Sequence, residues 1–71
     1  MPAIAEKAEL VLDGLDRVGE VARFLKLSVS TVYGFMDRGE LPYVKLGKAR
    51  RIPHRAVVEL AAASLVSRDA D

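Results

Sequence analysis

Four basic residues, Lys45, Lys48, Arg50 and Arg51, fall within seven positions, and Arg55 follows four residues later. Fixed positive charge at this density suits a polyanion, because each Lys or Arg that meets a phosphate releases a condensed counterion. An Arg in such a cluster can also reach into a narrow minor groove. The competing reading is a solvated basic turn that keeps a strand edge from aggregating, with the stem of Arg51 covering the strands. Catalytic chemistry has little to build on. His54 is the single histidine and there is no cysteine, so His54 reads as a solvent-exposed residue or a phosphate contact. Gly47-Lys48 lacks the preceding glycine, the spacing and the following Ser/Thr of a nucleotide loop. No Ser-His-Asp set or carboxylate pair is defensible from the order of residues. The expectation is a protein that is not an enzyme and needs no metal, cofactor or small-molecule ligand.

The charge is unevenly spread. Over residues 1–16, Glu6, Glu9, Asp13 and Asp16 face only Lys7. Residues 17–55 carry nine bases against Glu20, Asp37 and Glu40, and residues 56–71 carry Arg68 against Glu59, Asp69 and Asp71. A basic middle between acidic ends fits a polyanion docked on one surface. The chain has 71 residues, 51% of them apolar and 30% charged. That length and composition indicate one small folded domain and exclude a low-complexity chain. The longest nearly apolar run, Leu60 to Val66, is far too short to span a bilayer. The first residues lack the basic start and apolar core of a signal peptide, so a cytoplasmic location is expected, without membrane contact.

Several elements must position these residues. Ile4, Ala8, Val11 and Leu12 share one face of a short helix over Ala3–Leu12, which either docks on the domain or frays. Asp16 is a candidate N-cap, and Val18, Val21, Ala22 and Leu25 follow at helical spacing. Lys26-Leu27 interrupts that helix and Ser28 can cap another, from Val29 to about Arg38, with Val32, Phe35 and Met36 inward. Gly39 suits the left-handed stop. Two short helices joined this closely make a helix-turn-helix, and small Ala22 allows the crossing. Tyr43–Leu46 and Arg50–Ile52 read as a hairpin around Gly47-Lys48-Ala49. In it Val44, Leu46 and Ile52 are expected inward, and Lys45 and Arg51 outward. Pro53 opens a third helix to roughly Val66, whose apolar stripe is wider than one neighbouring helix covers.

The run Glu20-Val21-Ala22-Arg23-Phe24-Leu25-Lys26-Leu27-Ser28-Val29-Ser30-Thr31-Val32-Tyr33 resembles the helix-turn-helix of the excisionase-type, MerR-like DNA-binding domains. Gly39-Glu40-Leu41-Pro42, then Lys45-Leu46-Gly47 and Arg50-Arg51-Ile52-Pro53, resembles the wing of the same family, in the same order and spacing. The resemblance spans Asp16 to about Leu60. It implies a mostly α fold with a small β-hairpin, a winged helix-turn-helix, over residues 16–67. Residues 1–15 would form an N-terminal arm or short helix, and residues 68–71 a disordered tail. Two positions depart from the family pattern. Lys26 stands where a glycine is usual, and Gly34 where a long polar residue is common.

What the resemblance implies for function is the second helix in the major groove and the wing on the backbone or minor groove of double-stranded DNA. In that frame Ser30, Thr31, Tyr33 and Gly34 contact base edges or nearby phosphates. Tyr33 donates to a phosphate or presses on a thymine methyl, and Gly34 permits close backbone approach. The alternative is that Ser28, Ser30 and Thr31 only cap the helix and Tyr33 packs on the wing. Lys45, Lys48, Arg50, Arg51 and Arg55 then neutralise phosphates. The expected role is an excisionase-like recombination directionality factor, which bends DNA and directs a tyrosine or serine integrase towards excision. A small winged-helix transcription regulator is the alternative, and a protein-interaction module of winged-helix shape is an alternative of another class. Cooperative binding of several copies on direct repeats is expected, since one such module buries only about 600–1,000 Å² on DNA.

Overall fold

The computed structural model describes residues 8–66. The first half of the expected helix over Ala3–Leu12 therefore lies outside the described residues, as does the expected tail at 68–71; residues 8–10 are helical and 11–12 form a turn. The domain then runs β1 (Leu15–Arg17), α1 (Val18–Leu25), α2 (Val29–Asp37), β2 (Val44–Leu46), β3 (Ala49–Pro53) and α3 (His54–Ala63). This is a winged helix-turn-helix, mostly α, as expected. Its sheet has three antiparallel strands in the order β1-β3-β2 rather than a hairpin alone.

Strand β1 carries almost no local signal, because three residues are too few to show alternation. It exists because β3 offers it an edge: Leu15 pairs with Pro53, Asp16 with Ile52 and Arg17 with Arg51. Asp16 is consequently not the N-cap of α1. The cap is Arg17, whose backbone N–H donates to Glu20 Oε1 at 2.7 Å. Such a bond satisfies one of the donors that a helix start leaves open.

The turn between α1 and α2 is built as the residues suggest. Lys26 takes the left-handed conformation, φ 60° and ψ 41°, and the Leu27 N–H returns to the Ala22 carbonyl at 2.9 Å. Ser28 caps α2, its Oγ accepting from the Thr31 N–H at 3.2 Å. Gly39, at φ +76°, ends the turn after α2. The N–H groups of Glu40 and Leu41 then both reach the Phe35 carbonyl, at 2.9 and 3.2 Å. That return drives Leu41 into the core.

The core joins Val21 and Ala22 of α1, Val32 and Met36 of α2, Leu41, Ile52 of β3, and Ala56 and Val57 of α3. Val18, Leu25, Phe35 and Leu60 pack around it. Each fully buried aliphatic side chain here contributes about 1.5–3 kcal/mol of transfer free energy. Helix α3 ends at Ala63 rather than Val66, and Val58, Leu65 and Val66 stay exposed. Part of its wide apolar stripe is therefore uncovered.

The wing departs from the expected facing. Val44 pairs with Arg51, Lys45 with Arg50 and Leu46 with Ala49. Cross-strand partners share a face and faces alternate along a strand. Arg50 and its partner Lys45 therefore share the face of buried Ile52, although Lys45 is exposed, while Val44 and Leu46 lie on the other face with Arg51. Leu46 is exposed rather than inward, and Arg51 is half-buried rather than free in solvent.

Candidate nucleic-acid interface

Helix α2 buries Val32 and Met36, so its 100° spacing turns Ser30 and Gly34 directly outward. Thr31 and Arg38 flank that line on one side, and Tyr33 and Asp37 on the other. Ser30, Thr31 and Tyr33 are exposed and Gly34 half-exposed. The hydroxyls of Ser28 and Thr31 lie 2.8 Å apart, a second bond at the cap. Thr31 thus takes part in the N-terminal cap, whereas Ser30 has no side-chain hydrogen bond among the described residues.

Tyr33 faces the wing. The Arg50 guanidinium carbon lies 5.3 Å from the Tyr33 ring centroid and 4.6 Å from that of Tyr43. Its Nη1 is out of solvent, without a hydrogen-bond partner among the described residues, and 3.8 Å from Asp37 Oδ1. Arg50 thus joins the wing to α2 through one cation–π contact, with Tyr33, and stacks within the wing through a second, with Tyr43. Tyr43 and Asp37 belong to this clamp, and nothing in their immediate sequence marks them for it.

The five basic positions separate in space. Lys45 and Lys48 are exposed on the wing, around a turn that needs Gly47 at φ +64°. Neither forms an ion pair among the described residues. Arg50 is withdrawn into the tyrosine clamp. Arg51 lies along the hairpin, its Nη1 donating to the Arg50 carbonyl at 2.9 Å. Arg55 is engaged elsewhere, with Nε 3.0 Å from Asp13 Oδ2. The hydrogen bond that Arg55 donates to Asp13, together with the carboxylate's charge, raises the Arg55 pKa above the ordinary guanidinium value. Two lysines therefore form the freely presented charge of the wing.

His54 is half-buried rather than a free surface residue. Its Nδ1 is 2.8 Å from Asp16 Oδ2, and its ring edge meets Phe24 at a centroid distance of 5.5 Å. The His54 backbone N–H donates to the Gly14 carbonyl at 3.0 Å. These contacts pin β1 and the preceding turn to the start of α3. Among the described residues no group of three or more His, Cys, Asp or Glu side chains is placed to hold a metal ion. No helix among them is long and apolar enough to cross a membrane.

Two curated relatives come from Mycobacterium tuberculosis, one from strain CDC 1551 and one from strain H37Rv, and each is named "Putative DNA-binding protein". Each is 40% identical to this chain over 43 residues, which is 61% of this chain and 55% of the relative. The chain thus spans about half the length of the curated relatives it matches. No solved structure matches it significantly. The family model described as "Helix-turn-helix domain" matches residues 17–64, from the cap of α1 to the end of α3. With the capped turn, the two crossing helices and the wing all inside that span, the chain belongs to the helix-turn-helix domain family.

Proposed function

We propose that this chain binds double-stranded DNA, with α2 in the major groove and the β2–β3 wing along the backbone. The observation that carries the reading is the pairing of two surfaces by Arg50. It fixes the wing that presents Lys45 and Lys48 beside the outward hydroxyl face of α2. Such an arrangement divides the work in the way groove-binding domains do, with phosphate contacts setting register and a helix face meeting base edges. The names of the two mycobacterial relatives support the same ligand class.

Within that reading we place the chain with excisionase-like factors, on the resemblance of the Glu20–Tyr33 and Gly39–Pro53 blocks. Its role would be to bend DNA at attachment sites and favour excision by a tyrosine or serine integrase. The exposed Val58, Leu65 and Val66 favour neighbouring copies meeting on repeated sites. Fluorescence anisotropy with labelled duplexes at several salt concentrations tests the DNA reading. Binding that weakens linearly on a log–log salt plot is expected, and absence of binding or a flat plot overturns it. Gel mobility of circularly permuted duplexes and excision in the presence of the integrase test the finer role. Unbent DNA, unchanged excision and an altered promoter output would point instead to a transcription regulator.

A further inference from the structure

We infer that Arg38 reads a base edge, its guanidinium carried back over Gly34 and presented to a guanine in the major groove. This rests on the duplex-DNA reading above. Helix α2 has no basic residue before its C-cap, Arg38, so its outward face looks uncharged from the order of residues. Long helical side chains lean towards the N-terminus, however, and cover the turn before their own Cα. Arg38 does so. Its Nη1 lies 3.2 Å from where a Cβ on Gly34 would stand, one turn back. A Cβ at position 34 would push Nη1 outward by a few tenths of an ångström, so glycine permits this close an approach.

Two further contacts fix the guanidinium plane. Its carbon lies over the Phe35 ring, 5.1 Å from the centroid. Nε donates to Glu40 Oε2 at 2.6 Å. The Nε edge is thereby occupied, while Nη1 and Nη2 make no hydrogen bond among the described residues on a side chain that is 57% exposed. The paired donors of an arginine match guanine O6 and N7. Glu40 holds the Nε edge through a charge-assisted hydrogen bond, which orients the guanidinium. Glu40 and Gly34 are positioning residues in this scheme, and Arg38 is the group that touches DNA.

The experiment is selection of bound sites from a duplex pool with a randomised core, followed by titrations at several salt concentrations. Wild-type chain, Arg38→Ala, Arg38→Lys, Gly34→Ala and Glu40→Gln are compared, with thermal melts as a folding check. The wild type should select guanine at one position of its site. Arg38→Ala should lose about tenfold to a hundredfold of that preference, with the salt slope changed by well under one unit, and Arg38→Lys should not restore it. Glu40→Gln, with charge removed but shape kept, should weaken the same preference. Gly34→Ala should weaken it too while melting at a higher temperature, since Ala favours the helix. A uniform loss on all duplexes with a slope lower by about one unit would make Arg38 a phosphate contact and overturn the inference. So would a selected site that Arg38→Ala leaves unchanged, or one without a guanine preference. A wild-type chain that binds no duplex overturns the DNA reading itself and this inference with it.

Discussion

Arg50 stacks on Tyr43, its guanidinium carbon 4.6 Å from the ring centroid, so the strand leaving the wing is held to the residue that enters it. Tyr33 of α2 lies on the same guanidinium, so Arg50 links wing and helix in addition to the core that Ile52 shares with Val32 and Met36. The Arg50 cation is thus used inside the domain, against two tyrosine rings.

Removal of that clamp should loosen the domain as well as its binding. Two cation–π contacts at half-exposed sites contribute about 0.5–1 kcal/mol each, and the unpartnered Nη1 offsets part of this. Arg50→Ala is expected to cost about 1 kcal/mol, a fall in Tm of about 4–8 °C for a domain of this size. Affinity for cognate and scrambled duplexes should drop together. Arg50→Lys should recover little, because an ammonium has no plane to stack. Thermal melts and anisotropy titrations check both outcomes.

The salt dependence should come chiefly from Lys45 and Lys48. Each phosphate neutralised contributes about 0.9 to the slope of log affinity against log salt, so Lys48→Ala should flatten the slope by about one unit. Arg55→Ala should flatten it by less, since a phosphate there has to displace Asp13. Asp13→Asn should steepen it. Titrations across a range of salt concentrations with each variant provide the comparison.

Specificity should respond to different residues. Ser30→Ala and Tyr33→Ala are expected to reduce the preference for a cognate over a scrambled duplex while leaving the salt slope nearly unchanged, as base contacts do. Tyr33→Phe, which keeps the ring against Arg50, isolates the phenol. A preserved preference in Tyr33→Phe would exclude a contact by the hydroxyl and leave only the ring at work. Paired titrations on the two duplexes measure it.

Lys26 at φ 60° is the one non-glycine residue with positive φ among the described residues. A side chain in this region costs about 1–2 kcal/mol, and a glycine returns part of that by its greater freedom in the unfolded chain. Lys26→Gly should therefore stabilise the domain by about 0.5–1 kcal/mol. A urea titration should show a higher midpoint with an unchanged slope.

The His54–Asp16 contact should show itself in a double-mutant cycle. His54→Ala leaves a half-buried carboxylate without its partner, at a cost of about 1–2 kcal/mol. Asp16→Ala strands the imidazole in the same way. The double variant should cost less than the two single changes together, by about 1 kcal/mol, and denaturant unfolding of the four proteins measures this coupling.

The helix-turn-helix itself was legible from local order. Val18, Val21, Ala22 and Leu25 recur at helical spacing, Ser28 stands one residue before the next helix, and Gly39 permits the left-handed stop. Each of these signals acts over one or two turns of chain, where periodicity and capping are decisive. Even the approach of Arg38 to Gly34 follows from a four-residue spacing, once the lean of helical side chains is considered. The rest depends on contacts across long stretches of chain. His54 meets Asp16 across 38 positions and Arg55 meets Asp13 across 42, distances at which neighbouring residues carry no signal. Strand β1 exists only because β3 is there to receive it. The facing of the wing shows the same limit most sharply. In Arg50-Arg51-Ile52 the residue types do not say which arginine looks inward, and a shift of one residue in register exchanges the two faces. The pairing of Val44 with Arg51 and of Asp16 with Ile52 makes that choice. It sends Arg50 to the tyrosines and lays Arg51 along the hairpin.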